Sequence, residues 1–310
     1  MKLALLALIL AAPRNGVKLT IESPDKVLRP GRKMPVRFTL ENAGTAEAKL
    51  DEPDTYLEGL EIRDPDDKVV KATGKTRGIT KRTPTVEPGG FIGRTVDLSS
   101  VLSVPPEAEG WYRLRWSFGD AQSNEIKVFV MRDWLATIET NHGNITIEFA
   151  PHLAPTHVLS FLGLARSGFY EGSIFHRIIA GFMMQGGAPR DPKKDLKTPL
   201  RAEFSGEKHV FGTVSAARTN DPHSATSQFF ICFGPAAHLD GNYSVFGQVV
   251  EGADVVKAIE RVKTDHVSPC KGCAQALPRT GSSRCCGTHH QDKPESDVLI
   301  KRVTLSERKN

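Results

Sequence analysis

What the chain lacks narrows its chemistry first. Apart from its amino terminus it has no long apolar run, it has no stretch dominated by charge of one sign, and up to residue 130 it has no segment of convincing helical period. The formal net charge is only +5 over 310 residues, with both signs interspersed. That leaves no basic stripe for nucleic acid and no acidic tail for a charged partner. A bilayer span needs ~20 apolar residues, so no membrane span is expected. The one apolar run, Leu3 to Ala12 behind Met1-Lys2, has signal-peptide length. Residues 1–13 therefore read as an export signal, which would place the processed protein in a periplasmic or extracytoplasmic space. A single lysine and the absence of a small-x-small site before Pro13 keep a second reading open. In that reading the run is the first strand of the next domain and the protein is cytoplasmic.

At ~150 residues per domain the length suggests two domains. In 17–131 the pattern has period two: Val36, Phe38 and Leu40 alternate with polar neighbours, as do Tyr112, Leu114 and Trp116, then Ile126, Val128 and Val130. Turn signals fall at Pro30-Gly31, Asn42-Ala43-Gly44, Asp64-Pro65-Asp66-Asp67 and Pro88-Gly89-Gly90. Short alternating strands with regular turns read as a β-sandwich, immunoglobulin-like, closed by a hairpin around Gly110 to Leu114 and Asn124 to Val128. This half shows no cluster of catalytic residue types, so its default role is binding, spacing or orientation.

The second domain, 134–308, opens with a hairpin, Trp134 to Glu139 and Gly143 to Phe149. Two helices follow from spacing and end signals: Pro155 to Gly168, with Val158, Phe161, Leu162 and Ala165 on one face, and Ala253 to Arg261, with Val255, Val256 and Ile259 inward. Between them lies the run from Phe175 to Gly187, FHRIIAGFMMQGG, which sets the permanent cation of Arg177 beside Phe182 and Met183. A guanidinium that can donate to a backbone carbonyl beside an apolar ring suits a proline-containing peptide. On its own the run reads equally well as a buried strand with an arginine at its rim.

Further on stand Phe211 to Cys232, containing SQFFI, and Leu239 to Gly247, LDGNYSVFG. With these three motifs in this order, from about Trp134 to Leu305, the chain resembles a cyclophilin-type peptidyl-prolyl isomerase. The Arg218 to Thr226 loop is one residue longer than the common eukaryotic one and looks bacterial. The resemblance implies a mainly β fold, an eight-stranded antiparallel barrel capped by two helices, with a proline pocket on its outer face. It implies that Arg177 acts electrostatically, that Phe182, Met183, Phe230 and Leu239 line the pocket, and that Gln185 fixes the substrate backbone and orients the arginine. Ala217 and Gln228 fall at adjoining groove contacts, and Tyr243 at the rim. Strand alternation alone would make Phe230 core, whereas the resemblance puts it in the pocket and leaves Phe229 inside. His176 looks catalytic but has nothing to do, because the reaction transfers no obligatory proton. Two departures stand out. Ala180 replaces a proline frequent in the first motif, and His238 stands where many eukaryotic relatives carry a tryptophan that contacts cyclosporin.

The implied activity is rotation about X-Pro bonds in proline-containing, partly folded polypeptides, with no cofactor required. The rival reading is a non-catalytic scaffold that holds proline peptides while the sandwich recruits partners. An insertion at 264–297 replaces the usual short connection and carries Cys270, Cys273, Cys285 and Cys286 with His289 and His290. These residue types could hold a tetrahedral zinc, form one or two disulfides in an exported protein, or stay free and redox-reactive. The remaining cysteine, Cys232, reads as a buried apolar residue.

Overall fold

The computed structural model describes residues 16–29, 32–53, 56–70, 82–100, 102, 109–191, 198–265 and 292–308. The export-signal run at 1–13 and the zinc or disulfide candidates Cys270, Cys273, Cys285, Cys286, His289 and His290 lie outside the described residues. The chain divides into two compact units, Met1–Arg132 and Asp133–Asn310.

The first unit contains β1 (Val17–Glu22), β2 (Val27–Leu28), β3 (Pro35–Asn42), β4 (Ala48–Lys49), β5 (Leu60–Arg63), β6 (Val69–Val70), β7 (Thr85–Val86), β8 (Phe91–Asp97), β9 (Gly110–Phe118) and β10 (Ala121–Val130). These form a three-stranded sheet, β1-β3-β8, a five-stranded sheet, β2-β10-β9-β5-β6, and a small β4-β7 ribbon. Because residues two apart share a strand face, Val36, Phe38 and Leu40 of β3 and Tyr112, Leu114 and Trp116 of β9 all enter one core. The sandwich expectation is met at the level of two sheets around that core. Phe38, Tyr56 and Trp116 meet there with ring centroids 5.3 to 5.9 Å apart. Asn124, at a register shift in β10, donates to the Ile21 carbonyl at 2.8 Å and accepts from its amide at 3.0 Å. Its side chain thus substitutes for a peptide group between the two sheets.

The second unit contains β11 (Trp134–Thr140), β12 (Gly143–Phe149), α1 (Pro155–Arg166), β13 (Ile174–Phe175), β14 (Arg177–Ile179), β15 (Met183–Gly186), β16 (Thr213–Ala216), β17 (Phe229–Cys232), β18 (Val245–Glu251), α2 (Ala253–Glu260) and β19 (Val298–Glu307). Its nine strands run β13-β19-β11-β12-β18-β16-β17-β15-β14 in one sheet. The two end strands are consecutive in the chain and separated only by His176. β13 pairs with β19 through Ile174 and Leu299, and β14 pairs with β15 through Arg177 and Gln185. One chain segment therefore changes neighbour at His176 and closes the sheet. Counted through that break the barrel has the eight strands that the family resemblance implies.

The barrel interior is filled. Phe161 of α1 lies 4.9 Å from Tyr170, 5.4 Å from Phe229 and 5.7 Å from Phe246, centroid to centroid. A Cβ on Gly186 would fall 2.8 Å from the Phe175 ring, so even a methyl is excluded there. The apolar face of α1, Val158, Phe161, Leu162 and Ala165, covers one end. Its first turn donates the Thr156 and His157 amides to the Glu203 carboxylate at 3.1 Å each, a cap supplied by a distant residue. Helix α2 buries Val256 and Ile259. Among the described residues no helix is long and apolar enough to cross a membrane.

Candidate active site

With the interior closed, a binding surface has to be built on the outside, and alternation along four adjacent strands builds it. In β17 Phe229 and Ile231 point inward, so Phe230 and Cys232 point out. In β15 the outward residues are Met183 and Gln185. The register places Arg177 opposite Gln185, Gln185 opposite Phe230, and Phe230 opposite Ser215. At ~4.8 Å between strands this gives one continuous row across β14, β15, β17 and β16: cation, amide, aromatic ring, hydroxyl.

A separate apolar cluster surrounds the row. Met183, Phe230, Cys232, Ala236 and Leu239 are buried, with Ile179, Phe182, Ala217 and Tyr243 packed against them. Every apolar residue expected in the pocket or groove is thus brought together. Tyr243 meets Phe230 edge to face at 5.5 Å. Phe182 faces the exposed His238 ring at 5.1 Å, one partner on each side of the opening. Gln185 Nε2 donates to Gln228 Oε1 at 2.9 Å, which fixes both amides at the cluster's edge. Arg218, next to Ala217, lies over Tyr243 at 4.5 Å and donates to the carbonyls of Asn242, Thr219 and Asn220.

Arg177 is delivered by β14. Phe182 N donates to Ile179 O at 3.0 Å, closing a four-residue turn whose third residue, Gly181, has φ of 74°. This is the position where a turn of that kind requires glycine. The Gly181 amide donates to Glu260 Oε1 of α2 at 2.7 Å, tying the turn to the helix. The Arg177 side chain is 28% exposed, and its Nε stands 3.5 Å from Asp292 Oδ2. Next to it, burial and the Arg177 charge hold the His176 imidazole below its ordinary value, so it is neutral near pH 7. Its Nδ1 is sealed off without a hydrogen-bond partner. His176 is therefore hydrogen-bonded only in part, to the Ile174 backbone, in keeping with its having no proton to transfer.

Three residues passed over in the sequence lie beneath the cluster. Ser215 Oγ is 2.9 Å from His209 Nε2, and His209 Nδ1 is 3.1 Å from Asp240 Oδ1. The order Ser, His, Asp has the geometry of a hydrolytic triad. Here it cannot attack anything, because Ser215 is fully buried and His209 is stacked 6.0 Å from the Phe230 ring. Burial lowers the His209 value, and the His209 amide, with help from Lys208, holds the Asp240 carboxyl down to about 2. The trio is a hydrogen-bonded polar layer packed against Phe230. Their spacing in sequence, a histidine six residues before a serine and an aspartate beyond a strand, carries no local signal. Cys232 is equally inert, since burial pushes its thiol up to about 12.

Nothing in this arrangement holds a nucleophile or a redox centre, and among the described residues no group of three metal-ligating side chains occurs. What the described residues bring together is an apolar cluster with Arg177 and the paired Gln185 and Gln228 amides along its edge. The family follows from comparison of the sequence. The family model described as cyclophilin type peptidyl-prolyl cis-trans isomerase/CLD matches residues 135–304, and the chain belongs to that family. Peptidyl-prolyl cis-trans isomerase B of Escherichia coli (strain K12) is 40% identical over 184 residues, 56% of this chain and 100% of that one. The isomerase cyp18 of Streptomyces antibioticus is 41% identical over 184 residues, 55% of this chain and 99% of its own. A Cryptosporidium parvum cyclophilin type isomerase, crystallised in the presence of the dipeptide Ala-Pro, aligns with a TM-score of 0.46 at 25% identity, covering 56% of this chain and 99% of that one. The second unit is a peptidyl-prolyl cis-trans isomerase, a reaction that needs no cofactor.

Proposed function

We propose that the row Arg177, Gln185 and Phe230, with its apolar surround, is where an X-Pro bond is bound and twisted. Resonance opposes rotation with a barrier of about 18–20 kcal/mol. The two X-Pro isomers differ by only about 1 kcal/mol yet interconvert in roughly tens to hundreds of seconds. Reaching milliseconds takes about five decades, or roughly 7 kcal/mol at 1.36 kcal/mol per decade. No bond is made or broken. In the twisted amide conjugation is lost, the prolyl nitrogen becomes basic and the carbonyl oxygen sheds its partial charge.

The Arg177 guanidinium donates to that nitrogen and to the proline carbonyl, and a charge-assisted bond of this kind contributes about 1.5–3 kcal/mol. Phe182, Met183, Phe230 and Leu239 take the pyrrolidine ring. Gln185, Gln228 and Ala217 hold the chain on the other side of the rotating bond, with Tyr243 and His238 at the rim. Gripping both sides while aiming the cation favours the twisted form over either planar one, and this differential binding supplies the remainder. Clients on this reading are partly folded chains that expose X-Pro bonds. The observation that carries the assignment is the register that sets Arg177, Gln185 and Phe230 in one row on the outer face. A protease-free isomerisation assay on Arg177→Ala tests it. Retention of near-normal kcat/KM would return the pocket to the role of a non-catalytic peptide holder.

A further inference from the structure

The 264–297 insertion leaves and re-enters the barrel through a closed stem. Asp265 N donates to Lys293 O at 2.8 Å, Glu295 N donates to Lys263 O at 2.9 Å, and Lys293 N donates to Asp265 Oδ1 at 2.8 Å. Thr264 and Pro294 form a bridge between them. At the returning end stands Asp292, 7% exposed, with φ of 54° although it is not glycine. A non-glycine residue held in the left-handed region is uncommon, and such positions cluster at functional sites. Its backbone carbonyl accepts from Ile178 N at 2.8 Å, one residue beyond Arg177, and its carboxylate reaches Arg177 Nε at 3.5 Å.

From this we infer that Asp292 is a positioning residue for Arg177, an inference that rests on the reading of Arg177 as the electrostatic element. An arginine side chain carries considerable rotamer freedom, and a cation that wanders cannot meet the twisted amide at one geometry. Asp292 holds it twice, through the strand on which Arg177 sits and through the Nε edge of the guanidinium. Among the described residues neither Nη1 nor Nη2 makes a hydrogen bond, so the two terminal groups are left for the substrate. The insertion thereby ends on the back of the proposed catalytic cation. The described stem, 263–265 against 292–295, sets the position at which the carboxylate stands.

The test uses the full chain. Asp292→Asn keeps the shape and the tolerance for positive φ while removing the charge, and Asp292→Gly keeps the backbone while removing the side chain. Both are expected to lower kcat by about three- to tenfold, as befits a partly screened ion pair, with KM nearly unchanged. The Arg177 Nε–H resonance is expected to exchange with water faster in both. In the double variant Asp292→Asn with Arg177→Ala, the Asp292 change should cost nothing further. If both single variants fold and keep full kcat, or if the Arg177 Nε–H signal is unmoved, Asp292 does not position the arginine. An active Arg177→Ala would instead remove the reading of Arg177, and that result is distinct from an inactive Arg177→Ala beside a fully active Asp292→Asn.

Discussion

Replacing Arg177 by lysine separates the charge of this residue from its shape. Lysine keeps a positive charge able to face Asp292, so the pair at 3.5 Å is conserved in sign. The side chain is 28% exposed, and an ion pair so open to water is worth at most about 1 kcal/mol. Little stability should therefore be lost, and the thermal midpoint should move by only a few degrees, at about 2–4 °C per kcal/mol for a domain of this size. Catalysis should respond differently. The guanidinium offers a planar fork to two acceptors at once, whereas an ammonium is a point donor that cannot span the prolyl nitrogen and the carbonyl while still touching Asp292. Losing one charge-assisted bond of about 1.5–3 kcal/mol lowers kcat by roughly 10- to 150-fold. Because the bond strengthens only in the twisted state, KM should change little. The assay is exchange NMR on a short X-Pro peptide, which reads catalysed interconversion at equilibrium without a coupling protease. A lysine variant with wild-type kcat would show that a point charge suffices. One whose loss lay wholly in KM would show that Arg177 binds the ground state instead.

Other consequences follow from the same geometry. The Asp240 carboxyl, held at about 2 by the His209 amide and Lys208, lies below its ordinary 3.8. Stability from this group is therefore complete above about pH 4 and is lost as the pH falls toward 2, so Asp240→Asn should flatten that acid limb in thermal melts. Gly181→Ala meets no atom within 4 Å and incurs only the left-handed backbone penalty, whereas a Cβ on Gly187, at φ of 81°, would lie 2.7 Å from Ser227 O. Gly187→Ala should accordingly lose more unfolding free energy in denaturant melts than the roughly 1–2 kcal/mol expected for Gly181→Ala. With histidine at 238, cyclosporin inhibition is expected to be weak; His238→Trp should tighten it while kcat/KM stays near wild type. Nanomolar inhibition of the unaltered protein would overturn that expectation.

Most of the second unit was legible because its signals are local. The α1 stripe of Val158, Phe161, Leu162 and Ala165 follows helical spacing, with Pro155 at one end, and those four residues are the apolar ones the helix buries. The Phe229 and Phe230 pair obeys strand alternation, though alternation alone cannot say which face is inside; the motif resemblance supplied that choice. The barrel closure was not legible. It depends on one segment leaving β19 for β15 at His176, and no residue near that break marks the switch. The His209, Ser215 and Asp240 trio was missed for the same reason, since it is assembled by the register of β16 and by the turn after Leu239. In the sequence Asp292 is one polar residue within a cysteine-rich insertion. Its role arises from a stem that brings chain 115 residues further on back to Arg177, by the numbering of the two residues themselves.

The location of the pocket follows from what fills the barrel. The interior is packed by Phe161, Tyr170, Phe175, Phe229 and Phe246, and a strand face cannot serve core and ligand at once. The outer face of β14, β15 and β17 would ordinarily be polar. Here it carries Met183 and Phe230, 2% and 4% exposed, which stay dry only because Leu239, Tyr243 and Phe182 fold over them. On the proposed assignment a proline ring would enter this satellite cluster by displacing its half-buried edge, Phe182 and Tyr243, and not its buried floor. The polar trio beneath Phe230 adds what an apolar floor alone lacks. His209 is fixed by two hydrogen bonds and stacked on the ring, so Phe230 rests on a support with one geometry. A catalyst that works by favouring a twisted geometry depends on parts that do not yield, and on the proposed assignment the trio beside Phe230 and the carboxylate at Arg177 would serve that requirement.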